Sequence, residues 1–173
     1  MKALDVIFFA SIAAGIIALP FWVIFAWPIW FSKSNQPPKR WRERIADAST
    51  VLFIAGVLIG LATAWTSQGI AHNEVVTKLK SISDDCSIAI NEMPALNSKE
   101  LLVVLRTLDR LPAHHSNPTK KITVNLSDGR SNLVLSLARD SGDPREYWVF
   151  YPKYFITKSN EIGRIQTSLL DGY

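Results

Sequence analysis

The densest chemical potential in the chain lies in seven residues, Pro112-Ala113-His114-His115-Ser116-Asn117-Pro118. Two adjacent histidines suggest metal ligation, and the neighbouring Ser116 suggests a nucleophile. Adjacent side chains point apart in most backbones, so His114 and His115 are a poor chelate alone. A zinc site wants three or four converging ligands. His72, Asp140, Asp143 and Glu146 are the other candidates, and only tertiary contacts can bring them in. The expectation is therefore an exposed or locally hydrogen-bonded loop, with no metal and no cofactor.

Ser116 has no Gly-x-Ser-x-Gly elbow around it, and no paired carboxylates stand out. Neither a phosphate-binding Gly-x-x-x-x-Gly-Lys loop nor a Gly-x-Gly-x-x-Gly fingerprint occurs. Arg139-Asp140 and Asp143-Pro144-Arg145-Glu146 bracket a turn with alternating charge, which more often fixes a turn than catalyses. Cys86 is the single cysteine, so no intramolecular disulfide is possible. It reads as a buried apolar filler. Asn125-Leu126-Ser127 matches a glycosylation sequon, relevant only in a eukaryotic secretory setting.

Recognition offers more than catalysis. Tyr147, Trp148, Phe150, Tyr151, Tyr154 and Phe155 form a dense aromatic set. On a strand, Tyr147 and Tyr151 face one side, and Trp148 and Phe150 the other. One helix covers only one side. Tyr147, Trp148, Phe150 and Tyr151 are therefore the candidate partner contact, because amphipathic aromatics favour interfaces. A core buried on both sides is the competing reading.

The elements that must position these residues begin with two apolar runs. Residues 6–31 contain no charged side chain. As a straight helix they would run about 39 Å, against a hydrocarbon core of about 30 Å. Pro20 should kink this helix. A signal peptide is the competing reading, but its apolar core is only about 7–15 residues long, and this run continues through Phe21, Trp22, Val23 and Ile24. Residues 48–67 form a second uncharged run, with Asp47 and Ser49 suited to a helix N-terminus. Trp27, Trp30 and Trp65 lie near the ends of the two runs, as membrane interfaces favour. Gly56, Gly60 and Ala64 form a small-residue row at four-residue spacing, the candidate transmembrane packing surface. It serves packing of the two spans together, or self-association.

Charge orients the pair. The net charge of +4 is concentrated in residues 33–45, where Lys33, Lys39, Arg40, Arg42 and Arg44 oppose Glu43. Residues 71–173 carry thirteen Lys and Arg against twelve Asp and Glu. A nucleic-acid binder concentrates basic charge on its domain, so no nucleic-acid partner is expected. Short basic loops stay in the cytoplasm, which places both termini outside it. The expected location is the cytoplasmic membrane of a bacterium, with residues 71–173 extracytoplasmic.

The expected division is 1–70, a two-span transmembrane hairpin with a cytoplasmic loop at 33–45, and 71–173, a small α+β domain. Val75, Val76, Leu79 and Ile82 predict a juxtamembrane helix over 71–82, either continuous with the second span or bent from it at Gly69. Residues 83–94 are ambiguous, with alternation that suits a short strand. Asn97 and Glu100 have capping-box spacing, and Leu101, Leu105 and Leu108 make an apolar stripe, predicting a helix over 98–110. Alternating residues predict strands around 122–126, 133–137 and 146–151, joined by turns at Asp128-Gly129 and 140–144, with a short fourth over 161–167. The fold class is thus a two-helix transmembrane hairpin followed by a helix packed on a three- or four-stranded antiparallel sheet. The expected function is noncatalytic: an accessory, regulatory or interaction subunit of a membrane complex. Its partners would be the bilayer and another membrane protein or a second copy. The alternatives are a small-ligand or envelope-stress sensor, and a membrane-anchored hydrolase or metal-dependent enzyme using residues 112–118.

Overall fold

The computed structural model describes residues 3–31, 39–110 and 115–173. The chain separates into two compact units, Met1–Thr66 and Ser67–Tyr173.

The first unit is helical. Helix α1 (Ala3–Phe21) passes into a π-helical turn, Trp22–Ala26, and then α2 (Trp27–Phe31). The wide turn follows Pro20, which has no N–H to donate. The ladder re-forms with the Trp27 N–H bonded to the Trp22 carbonyl, an i→i−5 step. Helix α3 (Arg40–Ser81) is continuous for 42 residues and supplies both units. Asp47 and Ser49 therefore lie inside a helix rather than at its start. Ser49 Oγ donates back to the Ala46 carbonyl at 3.0 Å. Gly69 is likewise internal to α3. Two helical segments, Ala3–Ile29 and Arg40–Ser81, are long and apolar enough to cross a membrane.

The second unit is a six-stranded antiparallel sheet with helices. Strands β1 (Ser87–Ile90), β2 (Met93–Pro94), β3 (Pro118–Ser127), β4 (Asn132–Asp140), β5 (Glu146–Phe150) and β6 (Gly163–Gln166) take the order β2-β1-β3-β4-β5-β6. Helix α4 (Ser98–Leu105) intervenes between β2 and β3, and α5 (Phe155–Ser159) between β5 and β6. Helix on antiparallel sheet is the expected layout, but the sheet has six strands rather than three or four. The extra pair is a tight hairpin closed by Asn91 and Glu92, both at positive φ (48° and 70°). Such turns normally announce themselves through Gly or Asn-Gly, and Glu92 gives no such sign.

The register puts one apolar set on a single face. Ile88, Leu126 and Leu133 align across three strands, as do Ile90, Val124 and Leu135, and then Ile122, Leu137 and Val149. All are buried, together with Val75, Leu79 and Ile82 of the α3 end and Leu101, Leu102 and Leu105 of α4.

Helix α4 is shorter than the predicted 98–110. Asn97 makes no side-chain capping bond; its carbonyl simply accepts from Leu101 N–H at 3.0 Å. Beyond Leu105 the chain is drawn to the sheet edge. Asp109 exchanges backbone bonds with Arg164 of β6 at 2.8 and 3.2 Å. This pairing occupies the outer edge of β6, as β2 occupies that of β1. It also explains Gly163, where an added Cβ would sit 2.7 Å from the Asp109 carbonyl oxygen. Arg106, released from the helix, turns its guanidinium onto the end of α3. Its Nε and Nη2 donate to the carbonyls of Leu79 (2.9 Å) and Ile82 (2.8 Å), and Nη1 to Asp84 (2.6 Å). These carbonyls are the groups a helix C-terminus leaves unserved.

Candidate functional site

Strand β5 gathers most of the singled-out side chains, and both its faces are occupied within the second unit. Tyr147, Phe150 and Tyr151 are buried, at 2, 1 and 4 % exposure, and Trp148 is half-buried. The partner-contact expectation rested on one aromatic set being left exposed, and neither set is. The reason is polar cover that hydrophobic alternation does not reveal.

On the core face, the Tyr147 hydroxyl accepts from Arg139 Nη2 at 2.7 Å, and Arg139 also pairs with Asp171 near the C-terminus. Tyr151 reaches Glu74 of α3. One Glu74 oxygen accepts from Tyr151 OH (3.1 Å) and Lys153 Nζ, and the other from Tyr154 OH (2.8 Å). Lys78 adds an ion pair one helical turn on, at 3.5 Å. Burial alone would push the Glu74 carboxyl up. Donation from Lys153, Tyr154 and Tyr151 overrides that and lowers it from 4.5 to about 2. The same contacts and burial push the Tyr151 hydroxyl well above its usual value.

The second face is covered over β5 and β6 by charge. Arg164, 2 % exposed, places its guanidinium 4.2 Å from the Trp148 ring centre. It donates to Glu146 at 2.9 Å and to both oxygens of Glu161, at 2.8 and 3.0 Å. Phe150 lies under Lys121, whose Nζ is 3.9 Å from the ring centre and donates to the Lys158 carbonyl.

Beside this layer, Asp140 holds the turn that follows β4. One oxygen accepts from Ser116 Oγ (2.5 Å) and Trp148 Nε1 (2.6 Å), the other from the Gly142 and Asp143 backbone N–H groups (2.6 and 3.0 Å). Burial would raise the Asp140 carboxyl, but these four donors hold it far below the carboxylate range. Asn117 and Ser141 exchange two further bonds of 3.0 Å, so the loop containing Ser116 is buttoned onto the turn. Ser116 Oγ thus donates to the Asp140 carboxylate.

His115 is exposed, and His72 Nδ1 donates to the Ile162 carbonyl at 2.8 Å. His114 lies outside the described residues. Among the described residues, no three His, Cys, Asp or Glu side chains lie together as a metal would need. Cys86 is buried, and burial raises its thiol, which keeps it protonated. No buried side-chain nitrogen or oxygen among the described residues lacks a hydrogen bond.

In the first unit, the glycine row of α3 lies against α1. An added Cβ at Gly56 would come 2.9 Å from the Ser11 carbonyl oxygen and 3.2 Å from the Gly15 nitrogen; at Gly60 it would come 3.2 Å from Ser11 Oγ. Ala64 lines the same apolar groove, about 360 Å³, with Phe8, Ile12, Leu19 and Phe53.

A second groove, about 480 Å³, lies in the second unit between the β2–α4 segment and the C-terminal residues. Ile90, Ala95, Leu96, Leu101, Leu169 and Tyr173 line it. Leu96 is 92 % exposed. Apolar alternation gave no sign of this groove, because its walls come from separate parts of the sequence, 90–101 and 168–173. No family model, curated protein or solved structure matches the chain.

Proposed function

We propose that the chain is a noncatalytic integral membrane protein that displays its α+β unit outside the cytoplasm, as an accessory or regulatory subunit of a membrane complex. The observation that carries this reading is the apolar surface of α1 and α3. Ile16, Ile17, Val51 and Leu61 are 63–66 % exposed. A core helix of a soluble protein buries such residues, and water penalises their exposure by about 25 cal/mol per Å². A bilayer removes the penalty. The bias of cations toward residues 33–45 supports cytoplasmic placement of that loop. The saturated hydrogen bonding of Glu74 and Asp140 supports a structural rather than a proton-transferring role for the most perturbed acids.

The test is fractionation of cells expressing the full chain. The protein should stay with membranes through alkaline carbonate extraction and leave only with detergent. Isolation in mild detergent should then recover a defined membrane partner or a stable oligomer. Release by carbonate would remove the membrane reading, and a monodisperse monomer with no companion would remove the subunit reading.

A second reading, a small-ligand unit, is favoured by the groove at Leu96 and Tyr173. A ligand seated there should raise the melting temperature of the parent but not of Leu96→Asp. Equal shifts in both would place the ligand elsewhere.

A further inference from the structure

We infer that the first turn of α3 is a binding site for the headgroups of anionic phospholipids. This rests on the membrane reading just given and specifies the lipid. Four cations occupy six residues: Lys39, Arg40, Arg42 and Arg44. Lys39, Arg40 and Arg44 are exposed, Arg42 is half-buried, and none of the four has an ion-pair partner among the described residues. Glu43 lies among them and Asp47 three residues beyond Arg44, so an excess of positive charge remains. The helix N-terminus adds its own partial positive charge in the same place.

The apolar surface continues directly from these cations. Arg40, Arg44, Ala48 and Val51 follow each other at spacings of four, four and three, one stripe of a helix, and all are exposed. The stripe thus carries two guanidinium groups at its head and aliphatic side chains below, the order of a phospholipid from phosphodiester to acyl chain. Arginine stems lie along apolar surface while the charged ends reach the headgroup layer. Aromatic rings mark the same level. Trp41 is 53 % exposed and meets Phe25 edge-on at 5.9 Å. Tryptophan favours the headgroup boundary. Guanidinium groups bind phosphate oxygens in a bidentate way, and a net negative lipid supplies charge that a zwitterionic one cancels. The occupant is therefore an anionic phospholipid rather than bulk lipid.

The experiment reconstitutes the full-length protein into phosphatidylcholine bilayers containing a minority of phosphatidylglycerol. Electron spin resonance with spin-labelled phosphatidylglycerol or phosphatidylcholine then reports which lipid the protein immobilises. The parent should immobilise the anionic probe with a several-fold preference, since each cation near the surface is worth about a fivefold change. High salt should reduce the preference. Arg40→Gln, Arg42→Gln and Arg44→Gln combined should bring it to unity, while Lys substitutions at the same three positions should retain most of it. Lys120→Gln with Arg130→Gln in the second unit should leave it unchanged. Equal immobilisation of both probes by the parent overturns the inference without any variant. So does a preference that survives the triple Gln substitution. Absence of an immobilised component with either probe would instead overturn the membrane reading itself.

Discussion

Glu74 concentrates three hydrogen-bond donors and an additional cation on one carboxylate, so its charge contributes to the stability of the second unit. Its folded pKa lies below the usual 4.5, at about 2. The stabilisation is therefore fully present above about pH 4.5 and is lost as pH falls toward 2, up to about 3 kcal/mol by linkage. Glu74→Gln should unfold more readily at pH 7, by about 2 kcal/mol in urea. It should also lack the part of the acid-induced loss between pH 4.5 and 2 that the parent shows. An identical acid slope in parent and variant would assign the titration to another group. Arg164 is the second such residue. Replacing it by Met removes the guanidinium that pairs with buried Glu146 and packs on the Trp148 ring, which should cost about 3–5 kcal/mol by denaturant unfolding. Adding Glu146→Gln should recover part of that loss. Neither network was legible in the sequence. Glu74 on α3 and Tyr151 are 77 residues apart and meet only through helix-on-sheet packing, and Arg164 and Glu146, 18 apart on neighbouring strands, meet only through the sheet register. The aromatic density of β5 was legible; its polar cover was not.

At the scale of elements, periodicity carried most of the information where the element is amphipathic. Val75, Leu79 and Ile82, and Leu101 and Leu105, stand out at helical spacing because one side is wet, and all are buried. Leu105→Ala should therefore cost about 2–5 kcal/mol, and Val103→Ala, on the exposed side of the same helix, well under 1 kcal/mol. Protease resistance of the purified protein measures the contrast, and equal resistance would contradict the packing of α4. What periodicity missed has local causes. Alternation over 83–94 suited the short strand that β1 forms, but β2 has only two residues, and the turn between them uses Glu92 at positive φ. The end of α4 is set by Asp109 pairing with β6, a contact no window around 98–110 contains. In the first unit, Gly56→Val should force α1 and α3 apart, because its side chain would meet the Ser11 and Gly15 backbone. A disulfide between cysteines placed at adjoining positions of the two helices, in a Cys86→Ser background, should form readily in the parent and slowly with Gly56→Val.

At the scale of the whole molecule, the proposed topology places residues 33–45 in the cytoplasm and the α+β unit outside it. The apolar runs and the cation bias are sequence properties, and the structure adds that many large apolar side chains of α1 and of α3 between Val51 and Trp65 remain uncovered by protein. The most direct measurement is site-specific labelling with a membrane-impermeant maleimide in intact cells. The chain has one natural cysteine, buried Cys86, so Cys86→Ser provides a silent background. Leu96→Cys lies on the exposed surface of the second unit, and Lys39→Cys on the basic segment. The account predicts that Leu96→Cys is labelled in intact cells, and that Lys39→Cys is labelled only after the membrane is permeabilised. Labelling of Lys39→Cys in intact cells, with Leu96→Cys protected until permeabilisation, would contradict it.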